Sequence, residues 1–268
     1  MADSGASGGG NDAVPGDGGA VTAAILVIGD EILSGRTKDK NIGYIAEYLT
    51  NIGIDLKEVR VVPDEEAEIV AALNALRARY TYVFTTGGIG PTHDDITAES
   101  VAKAFGVPIG YDPRAVKIMT ERITQTGGTM NEARMRMTRI PAGAELVLNK
   151  VSGAPGFWIG NVIVMAGVPH IMQTMLEYVT PKLKTGAKML SESVRADCRE
   201  GDIGTELGEI ARQHPDVVIG SYPFMDEKIG GNTNVVVRSR DQQKLTTAKA
   251  AVETMLQRVK AELAAGKR

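Results

Sequence analysis

Cysteine is almost absent from this chain: Cys198 is the only one among 268 residues. A single thiol excludes an intrachain disulfide and a cysteine-rich zinc site. A small apolar core residue is the role expected of it. No apolar run approaches the ~20 residues that a bilayer span needs. Dense lysine and arginine blocks with interleaved aromatics are missing, and the formal net charge is only −3. Both facts argue against a nucleic-acid or membrane-surface binder. The opening stretch "MADSGASGGGNDAVPGDGGA" lacks the charged and apolar regions of a signal peptide. A cytoplasmic protein with no nucleic-acid and no membrane partner is expected. There is no internal repeat, no HExxH, no G-x-x-x-x-G-K-[ST] and no defensible Ser-His-Asp arrangement.

What is present is the balance of a globular protein, with 43% apolar and 24% charged residues. Residues 1–20 are rich in Gly, Asp, Ala and Ser and are expected to form a disordered tail, because they have little apolar surface to bury. Order begins near Thr22 with "TAAILVI", a buried-strand pattern. Helical stripes over 41–53, 64–80 and 97–106 alternate with strand patterns over 54–62 and 81–85. That alternation predicts a mainly parallel, three-layer α/β sheet. Further helices are expected over 112–127, 131–140 and 168–183, and strands over 143–149 and 156–167 with a turn at "IGN". The polar stretch "KLKTGAK" then reads as a linker. Beyond it a strand-helix-strand-strand-helix pattern predicts a second, smaller α+β domain. The expected boundaries are 1–20 for the tail, 21–183 for the first domain and 187–264 for the second.

In parallel sheets, ligands bind beyond the carboxyl ends of the strands. Two long loops leave that edge, "GDEILSGRTKDK" and "TGGIGPTHDDI", and the second strand delivers "PDEE" beside them. These connections carry Asp30, Glu31, Asp39, Asp64, Asp94 and Asp95. Each acid has a plain structural alternative: Asp64 as a helix N-cap, Asp94 or Asp95 as the cap of the helix starting near Thr97, the others as solvated charges. Backbone N–H groups of Gly87, Gly88 and Gly90 can form an anion-binding concavity, aided by the following helix N-terminus. Carboxylates facing the same anion repel it. Two arrangements remove the conflict. A divalent cation can bridge carboxylates and phosphate. Alternatively, the carboxylates accept hydrogen bonds from an N–H-rich part of the same ligand, such as a pterin edge. His93 is expected to be a partly exposed loop residue, and Arg36, Lys38 and Lys40 to be solvated cations within reach of phosphate.

"GDEILSG" followed by "DKN", then "PDE", "TTGGIGPTHDDIT" and "SGAPGF", together resemble the molybdopterin-binding fold family over roughly residues 22–183. The likeness is greatest to the N-terminal domain of competence/damage-inducible protein A (CinA) and to the related domain of metazoan FAD synthases. The resemblance implies that Asp64 and Asp95 hold a pterin in molybdenum-cofactor members. In CinA-like members it implies a metal-dependent pyrophosphatase of ADP-ribose or a related dinucleotide. On that reading Asp94, Asp95 and Asp64 are the catalytic candidates and hold the divalent metal, magnesium or similar. Gly29, Asp30, Glu31, Asp39 and Asn41 are ligand-binding candidates from the first loop. Thr86, Gly87, Gly88, Gly90 and Thr97 are those of the glycine loop. The alternative is a molybdopterin-binding protein without hydrolase activity; a third reading is an oligomeric protein that has lost its chemistry. A homo-oligomer, dimer or trimer, is expected from the resemblance and from the apolar content of "GFWIGNVIVMAG" and the methionine-rich helix after it. An amidase domain, which often follows in CinA proteins, is not expected. Met135, Met137 and the "AGVP" at 166–169 depart from the family pattern.

If residues 1–20 have nothing to pack, deleting them leaves melting temperature and ligand binding unchanged. A drop of more than a few degrees on truncation would show that the segment is docked.

Overall fold

The computed structural model describes residues 20–227 and 230–266. The tail expected over residues 1–20 therefore lies, but for its last residue, outside the described part. The chain divides into two compact units between Gly186 and Ala187.

The first unit opens with β1 (Val21–Ile28), a short helix α1 (Asp30–Leu33), α2 (Asn41–Asn51), β2 (Ile54–Val62), α3 (Glu66–Arg77), β3 (Tyr82–Thr86) and α4 (Thr97–Phe105). It continues through β4 (Ile109–Tyr111), α5 (Pro113–Gln125), α6 (Glu132–Arg136), β5 (Arg139–Pro141), β6 (Glu145–Val147), β7 (Gly156–Ile159), β8 (Val162–Met165) and α7 (Pro169–Val179). The main sheet has the order β2-β1-β3-β8-β7-β6. Its first four strands are mutually parallel, and β7 and β6 complete it antiparallel. This is the expected mostly parallel α/β class.

Strand β1 organises the layers. Successive side chains point to opposite faces, so Ala24, Leu26 and Ile28 join one core with Ile69, Leu73 and Leu76 of α3. Ala23, Ile25 and Val27 join the other with Ile45 and Leu49 of α2 and with Met172, Met175 and Leu176 of α7. A fully buried Leu or Ile contributes about 1.5–3 kcal/mol over an exposed one, which makes this two-faced strand the spine of the domain. Strands β2 and β3 flank it on opposite sides. The connections after β1 and β3 therefore diverge, and a crevice opens at their carboxyl ends.

Three local expectations are corrected. The helix expected over 131–140 ends at Arg136, and Arg139–Pro141 form a strand paired antiparallel with Ile109–Tyr111. Ile140, buried in the core, is the anchor that pulls this segment out of the helix. The first loop contains the helical turn α1. The apolar surplus expected of β7, β8 and α7 is smaller than expected, because Phe157, Ile163, Val164, Met172 and Met175 are buried within the unit, while Val168 and Tyr178 stay exposed.

The second unit comprises β9 (Leu190–Arg195), α8 (Glu200–Gln213), β10 (Val218–Asp226), β11 (Gly230–Ser239) and α9 (Gln242–Ala264). Its antiparallel sheet has the order β10-β11-β9. Ile203 and Leu207 of α8 and Leu245, Val252 and Leu256 of α9 share a core with Val235 and Val237, and Cys198 is buried there. Among the described residues no helix is long and apolar enough to cross a membrane.

Asp197 follows β9 with φ 53, the left-handed region that Asp tolerates better than most residues. Its carboxylate accepts from Lys260 Nζ at 2.7 Å and from Arg195 Nε at 2.6 Å. These cations, Lys260 first, lower its pKa from 3.8 to about 2. A carboxyl depressed by folding adds stability above its unfolded value, and that stability is lost as pH falls through the folded one. Asp197→Asn is therefore expected to lower the melting temperature near neutral pH, by a modest amount because the network is solvent-exposed. The deficit should shrink as pH falls from the ordinary carboxylate range toward about 2. A deficit that does not change with pH would contradict the assignment.

Candidate functional site

The glycine loop after β3 is shaped by contacts that leave no room for side chains. Gly87 and Gly88 have φ of 103 and 65. A Cβ on Gly87 would stand 2.1 Å from the Ile28 carbonyl oxygen, and one on Gly90 2.6 Å from Asp95 Oδ2. Thr97, fully buried at the start of α4, donates its hydroxyl to the Gly87 carbonyl and its amide to the Gly88 carbonyl, both at 3.0 Å. It holds the loop from behind rather than facing a ligand.

The anion cradle is shifted from the expected position. The Gly87 amide is occupied by the Met165 carbonyl at 3.3 Å. The amides of Gly88, Ile89 and Gly90 have no protein acceptor among the described residues. The cradle is therefore residues 88–90.

The six acids divide into three groups. Asp64 does not cap α3, whose N-cap is Glu65 without a side-chain bond. Instead Asp64 Oδ2 accepts the Asp30 amide at 3.0 Å, tying the second connection to the first. Burial raises the Asp64 pKa, and the charges of Asp30, Glu31 and Asp94 raise it further, against the lowering effect of the Asp30 amide. Asp94 is exposed, with His93 Nδ1 4.0 Å away. Asp95 does not cap α4 either. Its Oδ2 accepts from the amide of Thr92 at 2.8 Å and from the Thr92 hydroxyl, closing a turn beside Gly90. Asp39 Oδ1 accepts from the amides of Asn41 and Ile42 at 3.0 and 2.7 Å, so its local task is to start α2. Gly29 donates to the Val62 carbonyl at 3.2 Å and closes the seam between β1 and β2.

Two adjoining hollows lie at this edge. The larger, about 780 Å³, is lined by Gly87, Gly88, Gly90, Asp95 and Glu31 on one side. Its other walls carry Arg122 and Met119 of α5, Arg134 of α6, Met137, Ser152 and Gly167. That volume suits a whole small-molecule ligand. The smaller, about 230 Å³, is lined by Glu31, Asp39, Asn41, Thr86 and Gly87, with Lys38 and Lys40 also on it. Arg36 and His93 are exposed and line neither.

The two arginines of the large cleft carry no signal in the sequence, since α5 and α6 lie far along the chain from the glycine loop. Arg122 donates to the Val151 carbonyl at 3.1 Å, which fixes its head near the "SGAPGF" turn. Arg136 supports the loop from below, donating to the Asp95 carbonyl at 3.4 Å. Cations and free amides in the lining of one cleft suit it to an anion, as the two glycine-loop arrangements considered above require.

The acids do not by themselves make a metal cage. Among the described residues no three His, Cys, Asp or Glu side chains are grouped so as to hold a metal ion. Asp95 is engaged by Thr92, and Asp64 by Asp30.

Comparison with known proteins agrees with this layout. Residues 24–185 match the family model of a probable molybdopterin binding domain, and residues 188–263 that of the FAD synthase middle domain. A protein of Archaeoglobus fulgidus is 32% identical over 232 residues, covering 87% of this chain and 96% of its own. A probable FAD synthase of Caenorhabditis briggsae is 28% identical over 259 residues, covering 88% of this chain, which spans only 49% of that longer protein. The crystal structure of the protein CinA with unknown function from Thermoplasma acidophilum is 32% identical with a TM-score of 0.56, covering 61% of this chain and 98% of that one.

Asp64 offers a direct test of the acidic edge. A carboxyl whose pKa is raised by folding destabilises the native state once pH exceeds that raised value, and the penalty disappears as pH falls below the unfolded one. Asp64→Asn keeps an acceptor for the Asp30 amide and removes the charge. The ligand-free variant is expected to melt at the wild-type temperature or above it near neutral pH, with the difference vanishing in acid. A variant clearly less stable at neutral pH would mean that the Asp64 charge is a structural need.

Proposed function

Because the chain belongs to the probable molybdopterin binding domain family, we propose that its first domain binds a phosphorylated nucleotide or pterin in the cleft beside the glycine loop and hydrolyses a diphosphate there. ADP-ribose or a related dinucleotide is the proposed substrate class. The observation that carries this reading is the cleft itself. Residues 88–90, whose amides have no protein acceptor among the described residues, line one cleft with Arg122, Arg134, Glu31 and Asp95. Amides and guanidinium groups hold a diphosphate, and acids suit the proton handling that its hydrolysis needs. The second domain supports the same ligand class, since it matches the FAD synthase middle domain and FAD is itself a dinucleotide with a diphosphate bridge.

Hydrolysis breaks one P–O bond of the bridge. The oxygen of water adds to phosphorus, its proton passes to a base, and two phosphate monoesters leave. Arg122 and Arg134 would offset the charge that builds on the phosphoryl oxygens. Asp95 is the proposed carboxylate next to the cradle, with Asp94 and Asp64 extending the acidic edge. Of these only Asp95 is in the lining of the large cleft, so it is the proposed base; Asp64 and Asp94 line neither hollow. Magnesium or a similar ion enters the proposal only as a companion of the incoming diphosphate, because the side chains alone offer no grouped ligand set. No step is assigned to it.

A second reading is a molybdopterin-binding protein without hydrolase activity. It rests on the same cleft, whose carboxylates and free amides suit a pterin edge and its phosphate as well.

The full chain should be incubated with ADP-ribose and with FAD, each with and without magnesium, while the release of nucleoside monophosphate is followed. Turnover that falls at least tenfold in Asp95→Asn, about 1.4 kcal/mol, is the expected result. Unchanged turnover and binding in both Asp95→Asn and Asp64→Asn would leave the acidic edge without a role. Tight pterin binding with no hydrolysis under any metal condition would favour the second reading.

A further inference from the structure

Arg122 sits in the last turn of α5, yet its head is held by a turn far along the chain. That turn is residues 149–154, just after β6. Asn149, only 8% exposed, organises it from inside. Its Oδ1 accepts from the amides of Val151 and Ser152 at 3.1 and 2.8 Å, and from the Ser152 hydroxyl at 3.1 Å. Its Nδ2 donates to the Ala154 carbonyl at 2.6 Å. One buried amide therefore fixes the backbone on both sides of Gly153.

The fixed backbone meets Arg122 at two points. The Val151 carbonyl accepts from Nη2 at 3.1 Å. Gly153, with φ 78, lies against the arginine stem, where a Cβ would stand 2.7 Å from Arg122 Cγ and 2.9 Å from its Cβ. The head is held by an acceptor and the stem by the lack of a side chain. Val151, Ser152 and Ala154 line the large cleft together with Arg122, whereas Asn149 lines neither hollow. Arg134 has local anchors instead. Its Nη1 donates to the Thr129 carbonyl, and its amide to Asn131 Oδ1 at 2.9 Å where α6 begins.

An arginine that is loose in solvent gives up rotamer freedom when it grips a phosphate, and that loss opposes binding. A side chain held beforehand avoids most of it. The guanidinium has donors to spare beyond the one that Val151 engages. We propose that Asn149 is a positioning residue for anion binding. It shapes the 149–154 turn, and the turn holds Arg122 in the cleft before a ligand arrives. The inference rests on the reading that the cleft takes a diphosphate, and adds to it a residue that touches no ligand.

Nitrogen relaxation of the arginine Nε–H groups, measured on the ligand-free full chain, reads the hold directly. Arg122 is expected to be ordered in the wild type and to gain mobility in Asn149→Ala, while Arg134 keeps its order. Calorimetric titration with ADP-ribose then reads the consequence. Arg122→Met is expected to weaken binding about tenfold, and Asn149→Ala about fivefold or more. The variant carrying both should bind no worse than Arg122→Met alone, because the asparagine acts through the arginine. Combined with Arg134→Met, the effect of Asn149→Ala should multiply instead. Gly153→Ala crowds the arginine stem without touching the asparagine and should repeat the pattern. A general loosening of the fold would free both arginines and give the same penalty beside either arginine variant, which would overturn the positioning role. Unchanged Arg122 order in Asn149→Ala overturns it as well. ADP-ribose that fails to bind the wild type, or binds regardless of both arginines, overturns the diphosphate reading; the relaxation measurement then decides the hold on Arg122 alone.

Discussion

A Cβ on Gly87 would stand 2.1 Å from the Ile28 carbonyl oxygen, and one on Gly88 2.1 Å from the Thr97 hydroxyl. These two absent methyl groups let the end of β3 press onto the end of β1. The crossing occurs where the strand order changes direction, between β2 on one side and β3 on the other. Gly167, after β8, also comes close, its would-be Cβ 3.3 Å from the Gly87 Cα. Three connections thus converge within a few ångströms. Thr97 then locks the loop by two hydrogen bonds made from inside the core. With that side of the loop fixed, the amides of residues 88–90 are left without protein partners. The cradle is a consequence of backbone packing rather than of any side chain.

The acids make sense against that frame. A free amide cradle and an acidic edge conflict only if every carboxylate faces the same anion. Asp39 starts a helix and Asp95 closes a turn, so their oxygens are partly engaged within the backbone. Asp64 accepts the Asp30 amide and holds two connections together. The residual repulsion collects at Asp64, where burial and then the neighbouring acids raise proton affinity. In the lining of the large cleft, Arg122 and Arg134 come from a different part of the chain and bring charge of the other sign.

The strand-helix alternation was legible because β1, α2 and α3 each carry a strong periodic pattern that burial preserves. The glycine loop was legible because its residue types have few other uses in that order. Other features needed the third dimension. Arg122 and Arg134 lie on helices whose register against the loop depends on how β4 and β5 pair. The strand at Arg139–Pro141 hid inside a helical pattern, since three residues are too few for a period and Ile140 was placed by tertiary burial. The cap offered as the plain alternative for Asp64 does not form: an acid just before a helix reads as a cap, yet the neighbouring connection offers it a donor. The Gly87 amide was miscounted for a similar reason. Its acceptor, the Met165 carbonyl, belongs to a strand far away in sequence.

The distribution of unsatisfied groups carries the last step. In the first unit the buried side-chain atoms without a partner, among the described residues, are Asn41 Oδ1, Thr85 Oγ1, Thr86 Oγ1 and Arg136 Nε. Thr85 and Thr86 end β3, Asn41 abuts Gly167, and Arg136 reaches the Asp95 carbonyl beneath the loop. Random imperfection would scatter such atoms through the core, where each costs about 1–3 kcal/mol. Here two of the four stand at the end of β3, next to the unpaired amides of residues 88–90. Strands β1 and β3 are otherwise buried and apolar, so the domain can carry these defects without losing its fold. The close approach of β3 to β1 at Gly87 and the unpaired groups of Thr85 and Thr86 thus occur at the same strand end.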